Sequence, residues 1–149
     1  MKTFNLLLIV LVLFTASCKE KNNNHNNHNT NIDVLITDTL SLKLNGNEKW
    51  IANNETHEGI AKMNTLILAF NKSKSKTYKT LGDNLSKQTN YIIKNCTMKG
   101  ESHDQLHVVL VPMLDQISIL RDNENETVSK KALDNLSQLI KTYYNYFKL

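Results

Sequence analysis

Residues that could bind a soft metal ion are concentrated in one short stretch of the chain. His103 and His107 stand four positions apart, so on a helix their side chains share a face and can converge on a single ion. Cys96 and Met98 precede them and could add a thiolate and a thioether. Sulfur together with imidazole favours copper(I) or zinc over magnesium or calcium. The stretch therefore predicts a copper or zinc site, with His57 as a further candidate ligand.

The same residues also fit a purely structural role. His103 could be an exposed residue of a first helical turn and His107 a hydrogen-bonded residue at the edge of the core. Cys96 would then be a small buried hydrophobe, and Met98 would cover the loop. Asp104 stands where zinc proteases have the glutamate that acts as general base, which disfavours hydrolysis. No oxyanion hole can be argued for a Cys-His nucleophile, and we expect a protein that is not an enzyme.

Haem and di-iron sites have less support in the sequence. Covalent attachment of a c-type haem requires Cys-x-x-Cys-His, which the chain lacks. A noncovalent haem held by Met63 and an inward histidine would resemble the cytochrome-b-type four-helix bundles, a weak resemblance. The Glu-x-x-His pairs of di-iron bundles have one faint counterpart, Asp104-x-x-His107. A haem-binding bundle is therefore the lesser alternative.

Four segments with a helical apolar period must position these residues. We expect helices over about 54–71 and 75–95, a third that begins at Ser102, and a fourth over about 125–147. The connections between them are short, and short connections make neighbouring helices antiparallel. The expected fold is therefore all-α, an antiparallel up-down-up-down four-helix bundle.

This topology brings scattered residues to one end of the bundle. The starts of the first and third helices and the ends of the second and fourth lie at the same end. The residues expected there are His57, Cys96, Met98, His103, His107, Tyr143 and Tyr144.

The register of the third helix predicts where its histidines point. His103 and His107 stand one heptad before Leu110 and Leu114, which belong to the apolar stripe of that helix. Residues one heptad apart share a helical face. Both imidazoles are therefore expected to face the interior.

Other local signals concern helix ends and packing. Ser102 and Gln105 fit a capping box at the start of the third helix, and Pro112 should kink that helix or remove one of its backbone bonds. Ile93 and Val128 belong to the apolar stripes of the second and fourth helices. These residues are expected at the core.

Residues 33–52, before the first helix, predict an extended arm or hairpin laid against the bundle. Leu40 and Leu42 alternate with polar residues, and Asn45-Gly46 is a turn signal. Trp50 follows the turn and is the expected anchor, because a tryptophan buries a large apolar area. Packing is a better explanation of Trp50 than stacking on a ligand.

The N-terminus has the composition of a targeting segment, residues 1–17. Lys2 is followed by nine apolar residues, Leu6–Phe14, too few to span a bilayer, and then by small residues. The ending Thr15-Ala16-Ser17-Cys18 resembles the lipobox of bacterial lipoproteins, and Ser-Cys-Lys endings are similar to those of Bacteroidota lipoproteins. The resemblance implies that Cys18 carries the lipid (diacyl, palmitate-type), begins the mature chain and anchors it in the cell envelope, at the outer membrane or the periplasmic face.

After Cys18, residues 19–32 predict a disordered tether. Seven of the ten residues from Asn22 to Asn31 are asparagine, and such a segment buries too little apolar surface to offset its ordering entropy. The full chain has 18 basic and 14 acidic residues, and removal of Lys2 makes the excess smaller. Because no basic stripe is interleaved with aromatic residues, a nucleic-acid partner is not expected.

Together these patterns predict a non-enzymatic, lipid-anchored envelope protein in which one end of a four-helix bundle binds copper or zinc. The alternative is an envelope lipoprotein with a structural role, or one that binds a protein partner, without any ligand. A titration with metal separates the two.

Overall fold

The computed structural model describes residues 36–74 and 77–149, and four helices dominate this part of the chain. Each helix packs against the next one in sequence, and α4 also contacts α1. The predicted all-α four-helix bundle is therefore confirmed. The bounds are Asn54–Lys72 (α1), Tyr78–Asn95 (α2), Glu101–Asp122 (α3), which continues through Pro112, and Glu126–Tyr146 (α4).

The compact unit Asp33–Leu149 contains all of the described residues. The predicted targeting segment, Cys18 and the asparagine-rich tether lie outside them. In the portion that the structure describes, no helix is both long enough and apolar enough to cross a membrane.

The hydrophobic core runs along the inner faces of the four helices. Two residues expected in the core are instead exposed, Ile93 at 55% and Val128 at 40%. Ile92 occupies the inward position of α2, and because successive helical residues are rotated by about 100°, Ile93 points away from the core. The largest fully buried side chains are Tyr143, Phe147, Ile60, Met63, Leu85, Ile92, Leu106, Met113, Leu120, Leu136, Leu139 and Ile140.

Two glycines bring α2 close to both of its neighbours. A β-carbon on Gly59 of α1 would overlap the side chain of Ile92 in α2. A β-carbon on Gly82 of α2 would lie 3.0 Å from the backbone nitrogen of Arg121 in α3. The first contact joins the start of α1 to the last turns of α2, and the second joins the first turns of α2 to the end of α3.

The start of α3 differs from the prediction. The helix begins one residue early, after Gly100, whose φ of 59° lies in the left-handed region that favours glycine. The capping box does not form, because Ser102 Oγ donates to the carbonyl of Lys99 at 3.1 Å. Gln105 is buried, and its Oε1 accepts a 2.7 Å hydrogen bond from the backbone N–H of Lys43. The glutamine therefore ties the arm to α3 instead of capping the helix.

The arm before α1 contains the predicted turn. Asn45 and Glu48 exchange backbone hydrogen bonds of 2.9 and 3.0 Å, and Gly46 between them has a φ of 63°. Leu40 and Leu42 are half-buried and pack against the core. The arm therefore lies against the bundle, as expected, but it is not extended throughout, because Ile36–Thr39 form a 3-10 helix that contacts α4.

After this turn the chain does not close a hairpin but pairs with its own C-terminal residues. Strand β1 (Trp50–Ile51) lies parallel to β2 (Phe147–Lys148). The N–H of Ala52 extends the pairing with a 2.8 Å hydrogen bond to the carbonyl of Lys148. Parallel strands require a long connection, which here consists of the four helices. The two strands and Ala52 form a clasp that joins the arm to the end of α4.

Trp50 anchors the arm, as predicted. Its side chain is 8% exposed, and Nε1 donates a 2.6 Å hydrogen bond to the carbonyl of Lys43. Phe147, its partner in the clasp, is fully buried and stacks on Tyr143 with 4.9 Å between the ring centroids. The clasp is therefore part of the hydrophobic core.

Candidate metal centre

Cys96 and His103 come into direct contact at one end of the bundle. Cys96 follows the last residue of α2, and His103 lies in the first turn of α3. Sγ of Cys96 is 3.6 Å from Nδ1 of His103. His107 lies one turn further along α3, with its ring centroid 4.4 Å from that of His103. Three of the predicted ligands are therefore neighbours.

His57 lies in the first turn of α1, beside the end of α4. Its Nδ1 is 3.3 Å from the hydroxyl oxygen of Tyr143, and its ring meets the ring of Tyr144 edge-on at 5.4 Å between centroids. Tyr143 is also near enough to Cys96 for a charge on the thiol to affect the tyrosine. Met98 is half-buried in the connection before α3 and packs against the core. The helix ends that carry these residues therefore adjoin, as the up-down topology requires.

His107 is exposed, so the prediction that it faces the interior is wrong, whereas His103 is half-buried. Leu114, one heptad after His107, is itself only half-buried and so does not mark an inward position. An α-helix also drifts by about 20° per heptad, which moves a residue near the edge of a stripe further out. His107 consequently lies at the rim of the site, where its ring can rotate.

The described residues contain a pair of adjacent ligands rather than a complete metal cage. Across residues 36–74 and 77–149, no group of three His, Cys, Asp or Glu side chains is arranged to hold a metal ion. A three-ligand site at this end would therefore require a change of side-chain rotamer, most simply at His107. The backbone positions of Cys96 and His103 need not change.

A partly open apolar cleft of about 190 Å³ lies between α2 and α3, directly beside the Cys96–His103 pair. This cleft was not predicted from the sequence. Ile93 and Val111 could have indicated it, because each is an apolar residue that directly follows a residue of the buried face, Ile92 or Leu110. The side chains of Ile93 and Val111 are 55% and 49% exposed. The residues that line this α2–α3 cleft are Ile92, Ile93, Cys96, His103, Leu106, His107, Leu110, Val111 and Leu114.

Tyr143 carries the most perturbed ionisation near the site. Burial raises the pKa of its phenol well above the usual value, and the ionisable groups of Tyr144 and Cys96 raise it further. The neutral phenol is thus the form that the folded protein stabilises.

Replacement of Tyr143 by phenylalanine is expected to make folding less sensitive to alkali. The pKa of Tyr143 is higher in the folded than in the unfolded chain, so its contribution is complete below about pH 10 and is lost as the pH rises further. Urea unfolding between about pH 8 and 11 should therefore give a shallower fall in unfolding free energy for Tyr143→Phe than for the wild type. The other tyrosines are common to both proteins. Equal slopes would contradict the assignment.

Comparison with known proteins supplies no relative from which a function could be transferred. No protein-family model matches the chain, and neither a curated protein nor a solved structure matches it. The case for a function therefore depends on the residues and geometry described above.

Proposed function

We propose that this protein is a non-enzymatic, lipid-anchored protein of the bacterial cell envelope whose helical domain binds one copper(I) or zinc ion. The observation that carries the metal proposal is the 3.6 Å separation between Cys96 Sγ and His103 Nδ1. Bonds of about 2.3 Å to sulfur and about 2.0 Å to nitrogen at a tetrahedral angle require a separation of about 3.5 Å. The two atoms are therefore already spaced for binding to the same ion.

His107 supplies the third ligand in this proposal. Its ring lies 4.4 Å from that of His103, and because His107 is exposed, rotation of the side chain meets little steric resistance. Met98 and His57 are candidates for an assisting role. Nδ1 of His57 is paired with the Tyr143 hydroxyl, so Nε2 is the nitrogen that could bind a metal. A hydrogen bond at the other ring nitrogen commonly orients the imidazole of a metal-binding histidine.

Copper(I) is the preferred ion. A thiolate is a soft ligand that selects copper(I) or zinc, and imidazole suits both. The α2–α3 cleft presents apolar side chains beside the pair, including Ile92 and Leu106. Such walls limit the access of water, and this disfavours ions that keep part of their hydration shell.

The metal proposal is tested by titration of the reduced unit Asp33–Leu149, which excludes Cys18 and the histidines of the tether. We expect one equivalent of copper(I), and more weakly of zinc, in competition with a chelator of known affinity. The double variant His103→Ala/His107→Ala should lose this binding. Absence of saturable binding by the wild type, or unchanged binding by the double variant, would show that the proposal is wrong.

The lipid anchor is tested separately. The segment Thr15-Ala16-Ser17-Cys18 supports acylation of Cys18, because the cysteine stands at the position that the lipobox requires. Cys18→Ala should therefore move the protein from the membrane fraction to the soluble fraction after cell disruption. Unchanged retention of Cys18→Ala in membranes would rule out an anchor through this residue.

A structural or partner-binding lipoprotein without a ligand is the second candidate. The exposed apolar side chains of Ile93 and Val111, which both line the α2–α3 cleft, favour it. The haem alternative has less support, because Met63 is fully buried within the packed core. A failed metal titration would leave the partner-binding function as the better explanation, and a Soret band in the purified protein would favour haem.

A further inference from the structure

The α2–α3 cleft has the size of a site for a small apolar molecule. Its volume is about 190 Å³, and its walls include Ile92, Leu106, Leu110 and Leu114. An apolar cavity of about 150 Å³ in another protein is large enough to bind benzene. Water in such a space finds few hydrogen-bond partners, so an apolar occupant is favoured over water.

Two exposed residues extend the apolar surface at the mouth of the cleft. Ile93 on α2 and Val111 on α3 line the cleft but are 55% and 49% exposed. A molecule seated between them would remove part of this apolar area from water, which stabilises the complex. The exposure of two large apolar side chains at one opening is thereby explained by a single occupant.

The polar atoms of the wall lie at one end of the cleft, on Cys96, His103 and His107. Nδ1 of His103 is engaged by Cys96 Sγ. If the thiol donates to Nδ1, the neutral imidazole has its proton on Nε2, and if a thiolate accepts from Nδ1, the imidazolium again has a proton on Nε2. A neutral imidazole with its proton on Nδ1, donated to a thiol or a thiolate sulfur, would instead leave Nε2 without a proton. In the first two arrangements His103 offers a hydrogen-bond donor to a ligand, and the proposal below requires one of them.

We propose that the α2–α3 cleft binds a small apolar carbonyl compound, of the size of one aromatic ring, whose oxygen accepts a hydrogen bond from His103. The apolar body occupies the space between α2 and α3, and the carbonyl lies at the end near Cys96. This proposal does not depend on metal binding, because it uses the metal-free thiol–imidazole pair. The two can therefore fail independently.

Two ligands of matched shape test the proposal, acetophenone as the carbonyl compound and ethylbenzene as its apolar analogue. The mature chain without its lipid, residues 19–149, is titrated with each in the presence of EDTA and a reductant, and backbone amide shifts are followed by NMR. We expect saturable shifts confined to the end of α2 and the first half of α3. Removal of the His103 donor should weaken the binding of acetophenone, relative to that of ethylbenzene, by about two- to tenfold.

Two variants test separately the contribution of the apolar cleft and that of the His103 donor. Leu114→Trp fills the cleft and should abolish saturable binding of both compounds, whereas Leu68→Trp, at an exposed apolar position of α1, should not. His103→Phe keeps a ring in the wall but removes the donor. It should bind ethylbenzene as the wild type does and acetophenone about two- to tenfold more weakly.

Several results would overturn the proposal. It is wrong if neither compound gives saturable shifts in the wild type, or if the shifts spread over the whole bundle. It is also wrong if His103→Phe binds acetophenone as tightly as the wild type does. Absence of saturable shifts in the wild type is sufficient to refute the proposal, so the test does not depend on whether Leu114→Trp folds.

Discussion

Replacement of Cys96 by serine is expected to weaken copper(I) binding by at least about 100-fold. Serine keeps the size of the side chain but replaces a soft thiolate by a hydroxyl, which copper(I) binds poorly. Cys96 is half-buried at the end of α2 and contacts His103, so the substitution leaves the backbone and the imidazoles in place. The loss should appear as a shift in the competition curve of copper(I) between protein and chelator.

Thr97→Ala is the matched control for this experiment. Thr97 is the exposed neighbour of Cys96, and its replacement should leave the affinity for copper(I) unchanged. A second comparison, His57→Ala, measures whether the histidine beside Tyr143 assists. If Cys96→Ser binds copper(I) as tightly as the wild type, the ion is not bound by this thiolate, and the proposed centre is wrong.

The second large effect concerns the clasp. Phe147→Ala is expected to lower the free energy of unfolding by about 3–5 kcal/mol, the range found when large buried aromatic side chains are truncated. Phe147 is 1% exposed and stacks on Tyr143 at 4.9 Å between ring centroids. Its loss leaves a cavity beside the ring of Tyr143. Urea unfolding monitored by far-ultraviolet circular dichroism provides the measurement.

Leu149→Ala provides the control for this variant. Leu149 is an apolar residue two positions further on, but it is 61% exposed. Its truncation should change the unfolding free energy by no more than about 0.5 kcal/mol. Similar values for the two variants would mean that the C-terminal residues fray in solution and that the clasp contributes little.

The helices could be predicted from the sequence because their signals are local. Apolar residues recur at helical spacing, and the connections are too short for any arrangement of neighbours other than antiparallel. The clasp could not be predicted in this way, since Trp50 and Phe147 are adjacent only after four helices have packed. The hydrogen bond of Gln105 could not be predicted for the same reason, because its partner Lys43 stands 62 positions away in the sequence.

The candidate site was predictable as a location but not as a geometry. Topology alone places the end of α2 beside the start of α3, and the contact between Cys96 and His103 follows from it. The orientation of His107 depends on where the edge of the apolar stripe lies. The seven-residue spacing between His107 and Leu114 does not determine the position of that edge. The α2–α3 cleft depends on how closely the two helices approach, which no local sequence pattern determines.

The clasp has a consequence for the order of folding. Each helix packs against its neighbour in sequence, and such contacts close short loops and form quickly. Pairing of Trp50 with Phe147 closes a loop that contains the whole bundle, and its entropic cost is higher. We therefore expect the clasp to form after the rate-limiting step, so that its loss accelerates unfolding while the folding rate stays nearly constant. If the chain is exported from its N-terminus, as proposed, this domain can be completed only after Phe147 has emerged.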